Sequence, residues 1–232
     1  MVQQQGIVKG DVLQKIGSAG FIIGAILLVI FNVLLPRADD PSITQEVLQK
    51  LGGQEVLTEV CALLLAIGAW AVMLGAAGVY RSISTGAGAA WTRLGFYGIV
   101  VGTAMWAVNF ALTMATAGAA ANWLAAPAAG QVTAYSVAAS LYAGSQAVET
   151  MSIIVYWLAL AFLGIGMAVS TVYPRWLGWI GIVLGIGTMA AVGIVAAFTG
   201  LSSTLQLTFM VLSLLSMLWA LVTGIWVARK AW

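Results

Sequence analysis

Long apolar runs separated by short polar segments make up most of the chain. Each of six runs is close to the roughly 20 residues that a helix needs to cross a bilayer. Apolar and polar residues do not alternate inside these runs, as they would in a strand of a membrane barrel. The pattern predicts an all-α membrane protein of one domain, 1–232, with transmembrane helices near 16–35, 56–80, 94–117, 146–172, 176–198 and 204–227.

The composition narrows the function classes. Hydrophobic residues make up 62% of the chain and charged residues 7%, against about 25% charged residues in soluble domains. His is absent, which removes the commonest haem ligand and the usual proton carrier near neutral pH. The single Cys61 cannot build a multi-Cys metal site and is expected to be a small packing residue in the second span. We therefore expect no enzymatic activity and no metal.

Positive charges are distributed unevenly between the two sides of the predicted bundle. Cytoplasmic loops of membrane proteins carry an excess of Lys and Arg. Of the nine such residues, the six-span topology places two on one side, Arg37 and Lys50. The other seven share the side of both termini: Lys9, Lys15, Arg81, Arg93, Arg175, Arg229 and Lys230. We expect both termini in the cytoplasm of a bacterium or archaeon, with the chain in its plasma membrane. No cluster of these charges is typical of nucleic-acid binding.

The first apolar run is expected to remain as a span. It is longer than the apolar core of a signal peptide, and Pro36 and Arg37 follow it in place of a small-residue cleavage site.

The outer loop after this run contains a helix signal. Ser42 and Gln45 have the spacing of a capping box. Val47, Leu48 and Leu51 form an apolar stripe at helical spacing. These features predict a short amphipathic helix over 42–51, lying on the outer membrane surface. The alternative is a flexible loop.

A second outer segment, residues 118–140, is rich in Ala and Gly and carries no charge. Its apolar parts are too short to span, and it contains Trp123 and Pro127. We expect an interfacial or partly re-entrant connection, whose irregular backbone must be covered by protein or water.

Glycines recur within a weak internal repeat. Residues 94–102 match residues 177–185 at six of nine positions. Both stretches contain a small-xxx-small pair, Gly98 with Gly102 and Gly181 with Gly185, which lets helix backbones approach closely. These glycines are expected at helix contacts within the chain; a contact with a second copy or another subunit is the alternative.

One group of polar side chains is the candidate site. Gln146, Glu149 and Tyr156 lie on one stripe of the fourth span. Asn109 and Glu59 are expected at comparable heights on neighbouring spans, from a rise of about 1.5 Å per residue. No Lys or Arg lies within a span to neutralise the carboxylates. An outward-facing pocket here would attract a proton or cation. Alternatively, the carboxylates only contact water near the start of a helix, where they interact favourably with the helix dipole.

Four tryptophans lie deeper than the membrane interface: Trp70, Trp106, Trp157 and Trp219. They either line a pocket for a lipid, quinone or pigment or fill gaps left by Ala and Gly.

Three stretches, 164–167, 173–178 and 181–185, resemble a group of bacterial six-helix membrane proteins known as a domain of unknown function. Tyr173-Pro174-Arg175-Trp176-Leu177-Gly178 is similar to the short Pro-Arg/Lys-aromatic-Leu-Gly link between two helices in that family. The resemblance implies the six-helix layout and brings no activity or catalytic residues.

These observations favour an accessory or scaffold subunit that packs against partner proteins, copies of itself or membrane lipids. The alternatives are a small proton- or cation-coupled transporter or channel, and a pigment- or quinone-contacting subunit of a respiratory or photosynthetic complex.

Overall fold

The part of the chain described by the computed structural model, residues 6–232, is mostly helical and contains no strand. Six helices are long and apolar enough to cross a membrane, which confirms the predicted fold class. They are α1 Val12–Leu34, α3 Glu55–Ser82, α4 Ala87–Ala125, α5 Ala128–Val169, α6 Arg175–Thr199 and α7 Ser203–Ala231. The short helix α2, Thr44–Gly53, lies between α1 and α3. One turn of α6, Met189–Ile194, has π-helical hydrogen bonding.

The six long helices form a ring. Each packs against the next along the chain, and α7 also packs against α1 to close the ring. The N- and C-terminal segments lie together at one end, where the Gly10 N–H donates to the Ala231 carbonyl at 2.9 Å. We call this the terminal end. The opposite end, which carries α2 and the α4–α5 turn, is the distal end.

The glycines of the internal repeat lie at helix contacts within the chain. A Cβ atom built on Gly98 or Gly102 would meet α5 at 2.6 and 3.0 Å, respectively. At Gly181 it would meet the ring of Trp219 on α7 at 3.1 Å, and at Gly185 the backbone of α5 at 2.6 Å. The absence of a side chain at these four positions therefore sets how closely α4, α6 and α7 approach their neighbours.

The segment 118–140 differs from its prediction. It is continuous helix apart from Ala126 and Pro127, because α4 extends to Ala125 and α5 begins at Ala128. Uncharged Ala-rich sequence has a high helix propensity, and Pro127 precedes the first turn of α5, where its missing N–H breaks no helical bond. The predicted irregular connection is wrong. At roughly 58 and 63 Å, α4 and α5 are about twice as long as the hydrocarbon core is thick.

The distal ends of α4 and α5 support α2. Val47, Leu48 and Leu51 are buried, and α2 packs mainly against α4 and also against α5. The apolar stripe of α2 therefore contacts protein, whereas the sequence predicted that it would lie on the outer membrane surface. The predicted capping box does not form either. The N–H and hydroxyl of Ser42 both donate to one Asp40 carboxylate oxygen, at 2.9 and 2.7 Å, and these bonds lower the pKa of Asp40.

Candidate functional site

A cavity of about 350 Å³ lies between α1, α3, α4, α5 and α7 in the distal half of the ring. This volume is within the range typical of ligand pockets. Its floor is aromatic: the Phe209 ring lies 6.2 Å from the Trp106 ring and 5.3 Å from the Trp157 ring, and Phe110 stacks on Trp106. Its polar end is formed by Arg37, Asn109, Gln146 and Glu149. We call this space the distal cavity.

Arg37 reaches the distal cavity from the loop that follows α1. Its guanidinium donates to the backbone carbonyl and to the side-chain oxygen of Asn32, in the last turn of α1. A cation at this place satisfies free carbonyls and favours the helix dipole. Burial lowers the pKa of Arg37, and the Glu149 carboxylate opposes that shift. Sequence reasoning missed Arg37 as a site residue because it counted only as an outer-loop charge; its place directly after Pro36, which turns the chain, was the available signal.

Glu149 is partly buried and lines the polar end from α5. Among residues 6–232 its carboxylate has no hydrogen bond, and the one ion pair within 4.0 Å joins Asp11 to Arg81 at the terminal end. Both Arg37 and Glu149 line the same cavity, and the carboxylate counteracts the lowering of the Arg37 pKa. The structure thus brings two opposite charges to one space without direct contact between them.

Hydrogen bonds fix the other polar groups around these charges. The Gln146 amide donates to the Tyr142 hydroxyl at 2.6 Å, and that hydroxyl donates to the Pro41 carbonyl at 2.9 Å. This chain holds the loop that carries Arg37 against α5. The Ser145 hydroxyl donates to the Asn109 side-chain oxygen at 2.9 Å and so ties α5 to α4.

The structure brings together four of the five side chains predicted for a polar pocket. Gln146, Glu149, Tyr156 and Asn109 all line the distal cavity. Glu59 does not line it. The cavity-facing residues of α3 include Ala62, Leu65 and Ala69, which lie roughly a quarter turn around the helix from Glu59 at about 100° per residue. Glu59 was predicted to join the polar pocket from its height along the helix alone. Its angular position about the axis of α3 directs it away from the cavity.

The four deep tryptophans have different surroundings. Trp106 and Trp157 line the distal cavity. Trp219 is buried and donates to the Leu177 carbonyl of α6 at 2.7 Å, a packing role. Trp70 is 59% exposed on the outside of the ring. Two of the four therefore line a cavity, Trp219 fills the interior, and Trp70 does neither.

The distal cavity reaches the outside of the ring between α1 and α7. Towards the terminal end these helices are in contact, since a Cβ built on Gly224 would lie 3.0 Å from the Ser18 carbonyl oxygen. Towards the distal end, Val33 of α1 and Leu207 of α7 both line the cavity and are 72% and 63% exposed. Val211 and Leu214 are likewise lining and exposed. Because α1 and α7 are long and apolar enough to cross a membrane, we expect this gap to face lipid.

The residues of the distal cavity suit an amphipathic molecule. Its floor offers aromatic faces, its polar end offers a cation, a carboxylate and amides, and its side gap gives a route from the bilayer. Across residues 6–232, no group of three or more His, Cys, Asp or Glu comes together that could hold a metal ion.

No family model, curated protein or solved structure matches this chain. The resemblance to six-helix proteins of unknown function stays a prediction.

Proposed function

We propose that this chain is a non-enzymatic membrane protein that binds an amphipathic molecule of the bilayer in the distal cavity. The observation that carries the proposal is the combination of an aromatic floor, a polar end and a side gap in one space. Of the predicted functions it is nearest to an accessory protein that packs against lipids, and it assigns that contact to particular residues.

The side gap explains how a cavity of this size serves a larger molecule. The polar head and the first part of a chain occupy the cavity, and the remainder extends between α1 and α7 into lipid. Moving an apolar chain from lipid to protein gains little free energy, because lipid tails are as apolar as the protein surface. Binding strength and selectivity must therefore come from the polar end and from packing against the rings of the floor.

A photoactivatable lipid analogue tests the proposal. Ser213 lines the cavity on α7, and Leu215 lies on the exposed side of the same helix. Ser213→Phe should fill the cavity and strongly reduce crosslinking at cavity residues, while Leu215→Phe leaves it unchanged. Equal crosslinking in both variants, or crosslinks confined to the outer surface, would count against the proposal.

A second candidate function is a proton- or cation-coupled transporter, which Glu149 favours. A carboxylate that faces a cavity without a hydrogen-bonding partner among residues 6–232 is a natural place for a proton or cation. Purified protein in liposomes should then dissipate an imposed proton or cation gradient, and Glu149→Gln should abolish this flux. Absence of flux through the wild-type chain argues against transport and leaves the binding proposal intact.

The accessory-subunit proposal has its own test. A native pull-down in mild detergent should recover a stoichiometric membrane partner or a second copy of the chain. The aromatic floor also supports the alternative proposal that the chain contacts a quinone or pigment. The absorbance spectrum of an organic extract from the purified protein would test that alternative directly.

We also propose that both termini face the cytoplasm and that the membrane is the plasma membrane of a bacterium or archaeon. The support is the excess of Lys and Arg at the terminal end. A reporter that is active only in the cytoplasm should work when fused after Trp232; activity only of a periplasmic reporter would reverse the topology.

A further inference from the structure

Arg37 and Glu149 both lie at the polar end of the distal cavity but do not form an ion pair with each other. Arg37 uses N–H groups of its guanidinium on Asn32 and retains others, since the group carries five donors. Glu149 makes no hydrogen bond within residues 6–232, and no contact of 4.0 Å or less joins it to Arg37. Partly buried charges without close partners carry a desolvation cost that a bound group of the right charges relieves.

We infer that the polar end receives a zwitterionic head group in which an amine is linked to a phosphate, as in phosphatidylethanolamine. This inference rests on the proposed binding of an amphipathic molecule. The phosphate is placed at Arg37, because a guanidinium presents paired donors that match phosphate oxygens. The ammonium is placed at Glu149, because its N–H donors match a carboxylate that has none in the free protein.

Other bilayer molecules satisfy this pair of charges less well. An anionic head group pairs with Arg37 but is repelled by Glu149. A neutral quinone stacks on the aromatic floor and leaves both charges without a counter-charge. Free phosphoethanolamine carries the required charges, but it uses neither the aromatic floor nor the gap between α1 and α7. The arrangement therefore favours the lipid-borne form of the head group.

Native mass spectrometry of the delipidated full-length chain tests this inference. The probes are phosphatidylethanolamine, phosphatidylglycerol with the same acyl chains, free phosphoethanolamine and a short-chain ubiquinone. The wild type should bind phosphatidylethanolamine about tenfold or more tightly than phosphatidylglycerol, the ratio expected from one charged hydrogen bond. Glu149→Gln should remove this preference by weakening phosphatidylethanolamine binding about tenfold, without weakening phosphatidylglycerol.

Arg37→Gln should weaken both phospholipids, because both carry the phosphate. Because Arg37 also caps α1, thermal unfolding is measured alongside. If Arg37→Gln does not fold, the test relies on Arg37→Lys, which keeps the positive charge, together with Glu149→Gln. Glu59→Gln on α3 and Lys50→Gln on α2 are the matched controls, since neither residue lines the cavity, and both should bind like the wild type.

Two outcomes would overturn the inference while leaving the proposed function standing. They are equal binding of the two phospholipids to the wild type, and tight binding of the ubiquinone without phosphatidylethanolamine binding. Competition by free phosphoethanolamine as strongly as by the lipid would overturn the lipid source. If no amphipathic probe binds at all, the proposed function itself fails.

Discussion

Gly185 offers a direct test of how α6 is held against α5. A Cβ atom at this position would lie 2.6 Å from the Ala161 backbone nitrogen and 2.6 Å from the Trp157 carbonyl oxygen. Both atoms belong to the backbone of α5, so rotation of a side chain cannot relieve the clash. Gly185→Ala therefore requires the two helices to separate.

The size of the effect follows from this geometry. Ordinary Cβ contacts are 3.4–4 Å long, so the helices must move apart by about 0.8 Å or more. Overpacking of a well-packed interior typically costs about 1–3 kcal/mol, and the separation also loses dispersion contacts around it. We expect Gly185→Ala to lower the free energy of unfolding by about 1–3 kcal/mol.

The same helix provides a matched control. Gly187 is two residues further along α6, and a Cβ built on it meets nothing within 4 Å. Gly187→Ala should leave the free energy of unfolding unchanged or raise it by up to about 1 kcal/mol, the difference in helix propensity between Gly and Ala.

Equilibrium unfolding in mixed micelles of a mild detergent and dodecyl sulfate, followed by Trp fluorescence, measures both variants under one condition. Equal stability of Gly185→Ala and the wild type would refute the close contact between α5 and α6. Equal destabilisation by the two substitutions would show that loss of Gly itself, and not the contact, matters.

Three further substitutions test other parts of the fold. Gly52→Ala should loosen α2 and speed its amide exchange, because a Cβ there would lie 2.6 Å from the backbone of α4. In the control Gly53→Ala the Cβ meets nothing within 4 Å, so amide exchange should stay as in the wild type. Equal exchange in the two variants would contradict the docking of α2. Trp219→Phe should cost about 0.5–1.5 kcal/mol by removing its hydrogen bond to α6, measured by the same unfolding assay; no loss would mean that this bond does not stabilise the fold. Asp40 has a lowered pKa because Ser42 donates to it, so the stability it contributes is present above its unfolded pKa and is lost as the pH falls through its folded pKa. Ser42→Ala should raise that pKa towards 3.8 in a carboxyl NMR titration, and an unchanged value would refute this cause.

The six spans and several helix contacts were predictable because they follow from local signals. Apolar length located the six spans, and the small-xxx-small pairs marked positions where helices approach closely. The rise per residue placed Asn109, Gln146 and Glu149 at comparable heights, and the fold brings them to one cavity.

The errors arose where a local pattern has several tertiary outcomes. The capping signal at Ser42 was lost to a competing bond with Asp40. The apolar stripe of α2 was predicted to meet lipid, but it meets the distal ends of α4 and α5, which the sequence had not predicted to be helical. Arg37 was missed because a short loop that folds back into a cavity has the same composition as one that extends into water.

Capture of bound molecules from the native membrane tests the central claim most directly. A photoreactive amino acid replaces Met210, which lines the distal cavity, or Leu215, which lies on the exposed side of α7. The membrane is irradiated before extraction, and the adducts are identified by mass spectrometry. We predict that position 210 captures a narrow set of amphipathic molecules enriched over the bulk lipid, while position 215 captures the bulk composition. Capture of the same bulk lipids at both positions, or of nothing at position 210, would contradict a ligand-binding cavity.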